Sequence, residues 1–114
     1  MARTVVLGAG VAGHTAALHL KRRLGRDHEV IVVSPNSQWN WIPSNIWVGV
    51  GRMTTKKVTF PLAPVYKRKK VDFRQALAFE LHPEGSADHA KPYVSIRYTD
   101  RARQGEVEEL EYDY

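Results

Sequence analysis

The run Gly8-Ala9-Gly10-Val11-Ala12-Gly13 constrains this chain more than any other stretch. Before it lies a short β-branched segment, Arg3–Leu7. After it Val11–Leu24 carries small or apolar residues at helical spacing: Ala12, Ala16, Ala17, Leu20 and Leu24. A G-x-G-x-x-G that leaves a strand and opens a helix has a mechanical meaning. The first glycine makes the tight turn, the second lets a pyrophosphate approach the backbone, and the third lets helix and strand pack closely. The free N–H groups of the helix's first turn, with its dipole, then attract phosphate charge. Gly8, Ala9, Gly10, Val11, Ala12 and Gly13 are therefore candidate cofactor-binding residues.

Lys21, Arg22 and Arg23 suit the last turn of that helix, and Gly25 suits its stop. A second apolar run, Glu29–Val33, ends at Ser34-Pro35. The strand–helix–strand unit has the length of a βαβ motif, so its strands are expected to be parallel. In such units the acid that binds ribose hydroxyls sits ~20 residues on. Here that place holds Ser34, 21 positions after Gly13, with Asn36 just beyond. Both can hydrogen-bond a ribose without charge. The missing acid weighs against NAD, and no arginine follows to hold a 2′-phosphate. The plainer reading of Ser34 is a turn residue.

Asn36–Met53 is an aromatic loop with three tryptophans. Its rings offer flat walls for a conjugated ligand, or a cluster that packs on its own domain. Within it Ser44–Val48 reads as a short helix capped by Ser44. Phe60–Lys69 reads as a helix with Pro61 and Pro64 in its first turn, and Val71–Gln75 as a third parallel strand. Ala76–Leu81, Tyr93–Thr99 and Val107–Tyr112 read as antiparallel strands joined by turn-rich links. The expectation is one α/β domain over residues 1–114: a Rossmann-like FAD/NAD(P)-binding sheet with three parallel strands, followed by a β-meander over 76–114.

Charge divides along the chain. Residues 1–71 hold 12 basic and 2 acidic side chains, whereas residues 72–114 hold 5 basic and 10 acidic. The basic part suits an anion, and the simpler reading is two solvated faces. Lys67-Arg68-Lys69-Lys70 reads as the wet side of a helix, not a nucleic-acid contact. Cysteine is absent, which excludes disulfides, thiolate metal sites and cysteine nucleophiles within these residues. The five histidines show no metal-ligand spacing and read as surface residues; His14 and His19 are five apart. No catalytic or metal-binding residue is assigned. No apolar run approaches a membrane span, and no signal-peptide pattern is present.

The segment VVLGAGVAGHTAALHLKRRLGRDHEVIVVSP, with the loop ending in WIPSNIWVGVG, resembles the N-terminus of sulfide:quinone oxidoreductases. These are flavoproteins with two dinucleotide-binding domains. Pro43 to Gly51 carries the most specific part of the likeness, which continues loosely through Phe60–Lys69 and Tyr112–Tyr114. The resemblance implies FAD, with its pyrophosphate on Gly8–Gly13 and its adenosine ribose near Ser34 and Pro35. It sets the adenine against the backbone near Leu77 and Ala78, and the flavin toward Ile42, Pro43, Ser44 and Asn45. It further implies an inactive, truncated N-terminal fragment of a longer protein, cytoplasmic or peripheral to the inner membrane. That protein would oxidise sulfide and pass electrons through FAD to a quinone. Flavocytochrome c sulfide dehydrogenase, type II NADH:quinone oxidoreductase and a stand-alone non-catalytic nucleotide-binding module are the alternatives. In related folds Arg3–Leu7 lies inside the sheet. Its second edge is therefore expected to be open here, and the fragment to self-associate or dock through it.

Overall fold

The computed structural model describes residues 1–114. Its core is organised by β2 (Glu29–Ser34), where Val30, Ile31, Val32 and Val33 are all buried. Strand alternation sends Val30 and Val32 to one face of the sheet, Ile31 and Val33 to the other. A strand apolar on both faces needs cover on both, and the chain supplies it differently on each side.

β1 (Arg3–Leu7) and β5 (Asp72–His82) flank β2 and pair with it in parallel, with Leu7 opposite Val33 and Gln75 opposite Ser34. The three expected parallel strands are present. α1 (Val11–Leu24) and α4 (Leu62–Lys69) cover one face, burying Ala17, Leu62, Tyr66 and Val71 against Val30 and Val32. On the other face Ile31, Val33 and Ala76 meet Val94, Ile96 and Tyr98 of β6 (Tyr93–Tyr98) and Leu110 of β7 (Val107–Glu111). The sheet order is β1-β2-β5-β6-β7, antiparallel from β5 onward. Arg74 ties the three last strands together: it pairs with Asp72 at 2.9 Å and Glu108 at 2.8 Å, and donates to the Tyr98 hydroxyl at 2.9 Å.

Several expectations are corrected. Val71–Gln75 and Ala76–Leu81 are not two strands: β5 runs 11 residues unbroken, changing partner from β2 to β6. No turn residue separates Gln75 from Ala76, and a register shift between Ala78 and Glu80 supplies the bend. On α1 the alanines 12 and 16 are exposed, and Leu18, Leu20 and Leu24 join Ala17 against the sheet. The helix predicted from Phe60 starts at Leu62. Thr59–Pro61 is instead β4, paired antiparallel with β3 (Gln38–Asn40), and Pro61 takes the N-cap position with extended backbone. A residue before proline avoids helical backbone, so Phe60 goes to the strand. α2 (Asn45–Gly49) follows a 3-10 turn at Ile42–Ser44, and Ser44 makes no side-chain cap bond. A further short helix, α3 (Thr55–Val58), had no sequence signal.

The outer edge of β1 is half closed. Tyr114 donates its N–H to the Arg3 carbonyl at 3.2 Å, and its carbonyl accepts from Val5 N–H at 2.9 Å, the pattern of a parallel pair. The Asp113 carboxylate accepts from Arg3 N–H at 2.7 Å. Backbone alternation leaves Val5 C=O and Leu7 N–H on the same edge. No helix is long and apolar enough to cross a membrane.

Candidate dinucleotide-binding site

The three fingerprint glycines have three different physical reasons. Gly8 turns the chain out of β1 at φ +99°, a conformation that side chains resist, and its N–H donates to the Val33 carbonyl at 2.8 Å. Gly13 is demanded by packing: a Cβ there would stand 2.1 Å from the Gly8 carbonyl oxygen. Gly10 is demanded by neither. Its backbone lies at φ −75°, ψ −167°, open to any residue, and an added Cβ would meet nothing within 4 Å. A glycine that the protein's own packing does not require leaves bare backbone facing open space. That is the cradle a pyrophosphate needs.

α1 begins at this cradle. Its first turn has no side-chain cap and no acidic residue, so the N–H groups of Val11, Ala12 and Gly13 are left for a ligand. His14 N–H closes the turn on the Gly10 carbonyl at 2.9 Å. No carboxylate lies within ion-pair distance of Lys21, Arg22, Arg23 or Lys67–Lys70; the ion pairs of the chain involve Arg3, Arg74, His82, His89 and Arg103. The helix layer is therefore net positive, which suits a phosphate-bearing ligand.

Ser34 stands at the carboxyl end of β2, beside the strand that leads into Gly8, and is 5% exposed. The Pro35 carbonyl accepts from the Thr99 hydroxyl at 2.8 Å, so the turn after β2 is held by the meander. Leu77 and Ala78 lie on β5 two and three residues past the Ser34–Gln75 pair. Their side chains face opposite sides: Leu77 is exposed, and Ala78 packs on the core of Ile31 and Val33. Thus Gly8–Gly13 and Ser34–Pro35 share the carboxyl ends of adjacent parallel strands, where open α/β sheets bind ligands.

Ile42, Pro43, Ser44 and Asn45 sit together in the turn that enters α2, and Ile42 is 65% exposed. Trp41, Ile46, Trp47 and Val50 are exposed beside them in sequence. The aromatic loop packs in part on its own domain. Trp39 packs on its own domain, stacked on Phe60 at 5.0 Å and Trp41 at 5.8 Å between ring centroids. Trp41 and Trp47 remain about half exposed.

The sequence reading missed the residue that joins loop and fingerprint. His14 is not a surface histidine. Its Nδ1 lies 2.7 Å from the hydroxyl of buried Tyr66, and its ring contacts Trp39 and Phe60. Burial holds its imidazole below the usual histidine value. The indole N–H of Trp39 is buried nearby without a partner. Spacing tests look for ligand pairs along one helix and are blind to a contact 52 residues away. His89 likewise bridges Glu109 and Glu111 on β7, and His82 stacks on Tyr93.

No protein-family model matches the sequence. Among solved structures, the sulfide:quinone oxidoreductase of the hyperthermophilic bacterium Aquifex aeolicus superposes with a TM-score of 0.79 at 23% identity. The match covers 100% of this chain and 23% of that one. NDH2 from Plasmodium falciparum in complex with NADH gives 0.76 at 17% identity, covering 99% of this chain and 21% of that one. The same enzyme in complex with RYL-552 gives 0.77. The likeness establishes a shared fold: the Rossmann-like sheet and its meander occur together in both proteins. The chain spans less than a quarter of the length of either.

Proposed function

We propose that this chain is the FAD-binding portion of a flavin-dependent oxidoreductase of the sulfide:quinone type. One observation carries the reading: Gly10 is bare where nothing in the protein requires it, at the head of an uncapped helix. Ser34 offers a hydroxyl at the ribose position, and the whole-chain likeness to a sulfide:quinone oxidoreductase supports FAD and the reaction class. Bound FAD would supply two-electron redox chemistry between a sulfur substrate and a quinone. The residues of this chain bind and orient. Backbone N–H groups at Val11–Gly13 hold the pyrophosphate, Ser34 and Pro35 border the ribose, and the backbone at Leu77 and Ala78 borders the adenine. Ile42, Pro43, Ser44 and Asn45 form the flavin-side wall. Association with a membrane surface belongs to the same proposal, as does docking of a further strand or second copy on the open half of the β1 edge.

A second reading has its own support. The NDH2 structure, which holds NADH, superposes nearly as well, so NADH is the rival electron donor. Assaying quinone reduction by the complete polypeptide from the source gene separates them. Sulfide-dependent reduction is expected; reduction by NADH alone would replace the first reading with the second.

A further inference from the structure

Tyr66 is fully buried, and its hydroxyl has one hydrogen-bond partner, His14 Nδ1 at 2.7 Å. Burial pushes the phenol up to about 12, so it keeps its proton. The bond can run two ways. With hydrogen on His14 Nδ1, the Tyr66 oxygen accepts and the phenolic hydrogen is stranded in the core. With the phenol donating, Nδ1 accepts and the neutral imidazole carries its hydrogen on Nε2, which satisfies both groups. The second arrangement is the stable one. His14 is also fixed at its backbone, through the N–H bond to the Gly10 carbonyl. A single residue is thus tied to the phosphate-binding turn at its main chain. Its side chain is tied to Tyr66 and the β3–β4 ribbon, which leads into Ile42–Asn45.

We propose that His14 is a positioning residue that sets the aromatic ribbon against the fingerprint, and that it does so only when its imidazole is neutral. This rests on the dinucleotide reading above. Protonation would place hydrogen on Nδ1, reverse the bond and strand the buried phenolic hydrogen. The imidazole would lose the bond that fixes it to α4, and the surface on which Trp39 and Phe60 of the ribbon pack would shift against the Gly10 cradle. Burial opposes the protonation of His14, and the titratable groups that share its groove are all basic. His19, Lys21 and Arg22 from α1 and Lys69 and Lys70 from α4 line the same groove, and no carboxylate does. The ribbon brings only Trp39 and Phe60 to the ring.

FAD titrations between about pH 8 and pH 5 test this on the 114-residue chain, with His14→Phe and Tyr66→Phe beside it. The unaltered chain should lose about tenfold in affinity as His14 protonates, the worth of one buried hydrogen bond. Both variants should bind more weakly with no slope from this group. An unchanged slope in His14→Phe overturns the proposal. Nuclear magnetic resonance of the unaltered chain gives a readout that needs neither variant nor cofactor. At neutral pH His14 should carry hydrogen on Nε2, and the Trp39 indole and Ile42–Asn45 amides should shift in step with its titration. Hydrogen on Nδ1, or ribbon signals indifferent to that titration, overturns it as well. Absence of FAD binding at every pH would instead strike the functional reading, and the resonance experiment would still decide the role of His14.

Discussion

Adding a side chain at Gly10 or at Gly13 should separate binding from folding. At Gly13 a Cβ would stand 2.1 Å from the Gly8 carbonyl oxygen, backbone against backbone. Neither partner is the end of a flexible side chain, so the start of α1 must move off β1. Overpacking of this kind costs about 3 kcal/mol. Alanine's better helix propensity returns about 1 kcal/mol. The net loss of about 2 kcal/mol corresponds to about 8 °C in Tm for a domain of this size. At Gly10 the backbone is ordinary and the space is open. Gly10→Val forfeits a favourable cap, about 1 kcal/mol, and gains about 0.7 kcal/mol from a less flexible unfolded chain. Its Tm should move by less than about 2 °C. Its FAD affinity should fall by about a hundredfold or more, because the valine occupies the pyrophosphate's approach. Circular dichroism melts and FAD titration of Gly10→Val and Gly13→Ala read both effects. A Gly10→Val variant that binds FAD as tightly as the unaltered chain, or a Gly13→Ala variant with unchanged Tm, would refute the reasoning.

Two further expectations concern the meander and the β1 edge. His89 is raised above its usual value by hydrogen bonds first to Glu111 and then to Glu109. A raised folded-state value stabilises fully below the unfolded value near 6.5 and is lost as pH rises through the folded one. The Tm difference between the unaltered chain and His89→Gln should therefore be greatest at mildly acid pH, where Glu109 and Glu111 are still ionised, and vanish in alkali; a constant difference would contradict the ion-pair account. At the β1 edge, Val5 C=O, Leu7 N–H and the apolar cleft of Val5, Leu7, Leu81, Val94, Tyr112 and Tyr114 remain available. Light scattering at micromolar concentration should show self-association that Leu7→Lys suppresses; a clean monomer would remove the proposal of docking at this edge.

What the sequence made legible was whatever local chemistry enforces. The β1–α1–β2 unit follows from a glycine turn, a helical stripe and a β-branched run, and each is enforced within about thirty residues. The meander was legible because its strands alternate and its links are rich in turn residues. The ribbon was not. β3 and β4 are three residues each, too short for a periodic signal, and they pair across some twenty intervening residues. The turn at Gly8 and the close packing at Gly13 were readable from one motif, but only the structure separates the glycine required by packing from Gly10, which packing leaves unexplained. His14 was misread because its partner Tyr66 is distant in sequence and adjacent only once α4 lies beside α1. The half-closed β1 edge was hidden for the same reason: Tyr114 finds Thr4's neighbours only after the meander has folded back.

The central claim is that this chain binds FAD, with its pyrophosphate on the Gly10 cradle, its ribose at Ser34 and its flavin toward Ile42–Asn45. Equilibrium titration of the 114-residue chain with FAD and with NADH, side by side, tests it most directly. FAD should bind measurably, and more tightly than NADH. Tighter binding of NADH, or no binding of FAD at concentrations where the chain is folded, would contradict it.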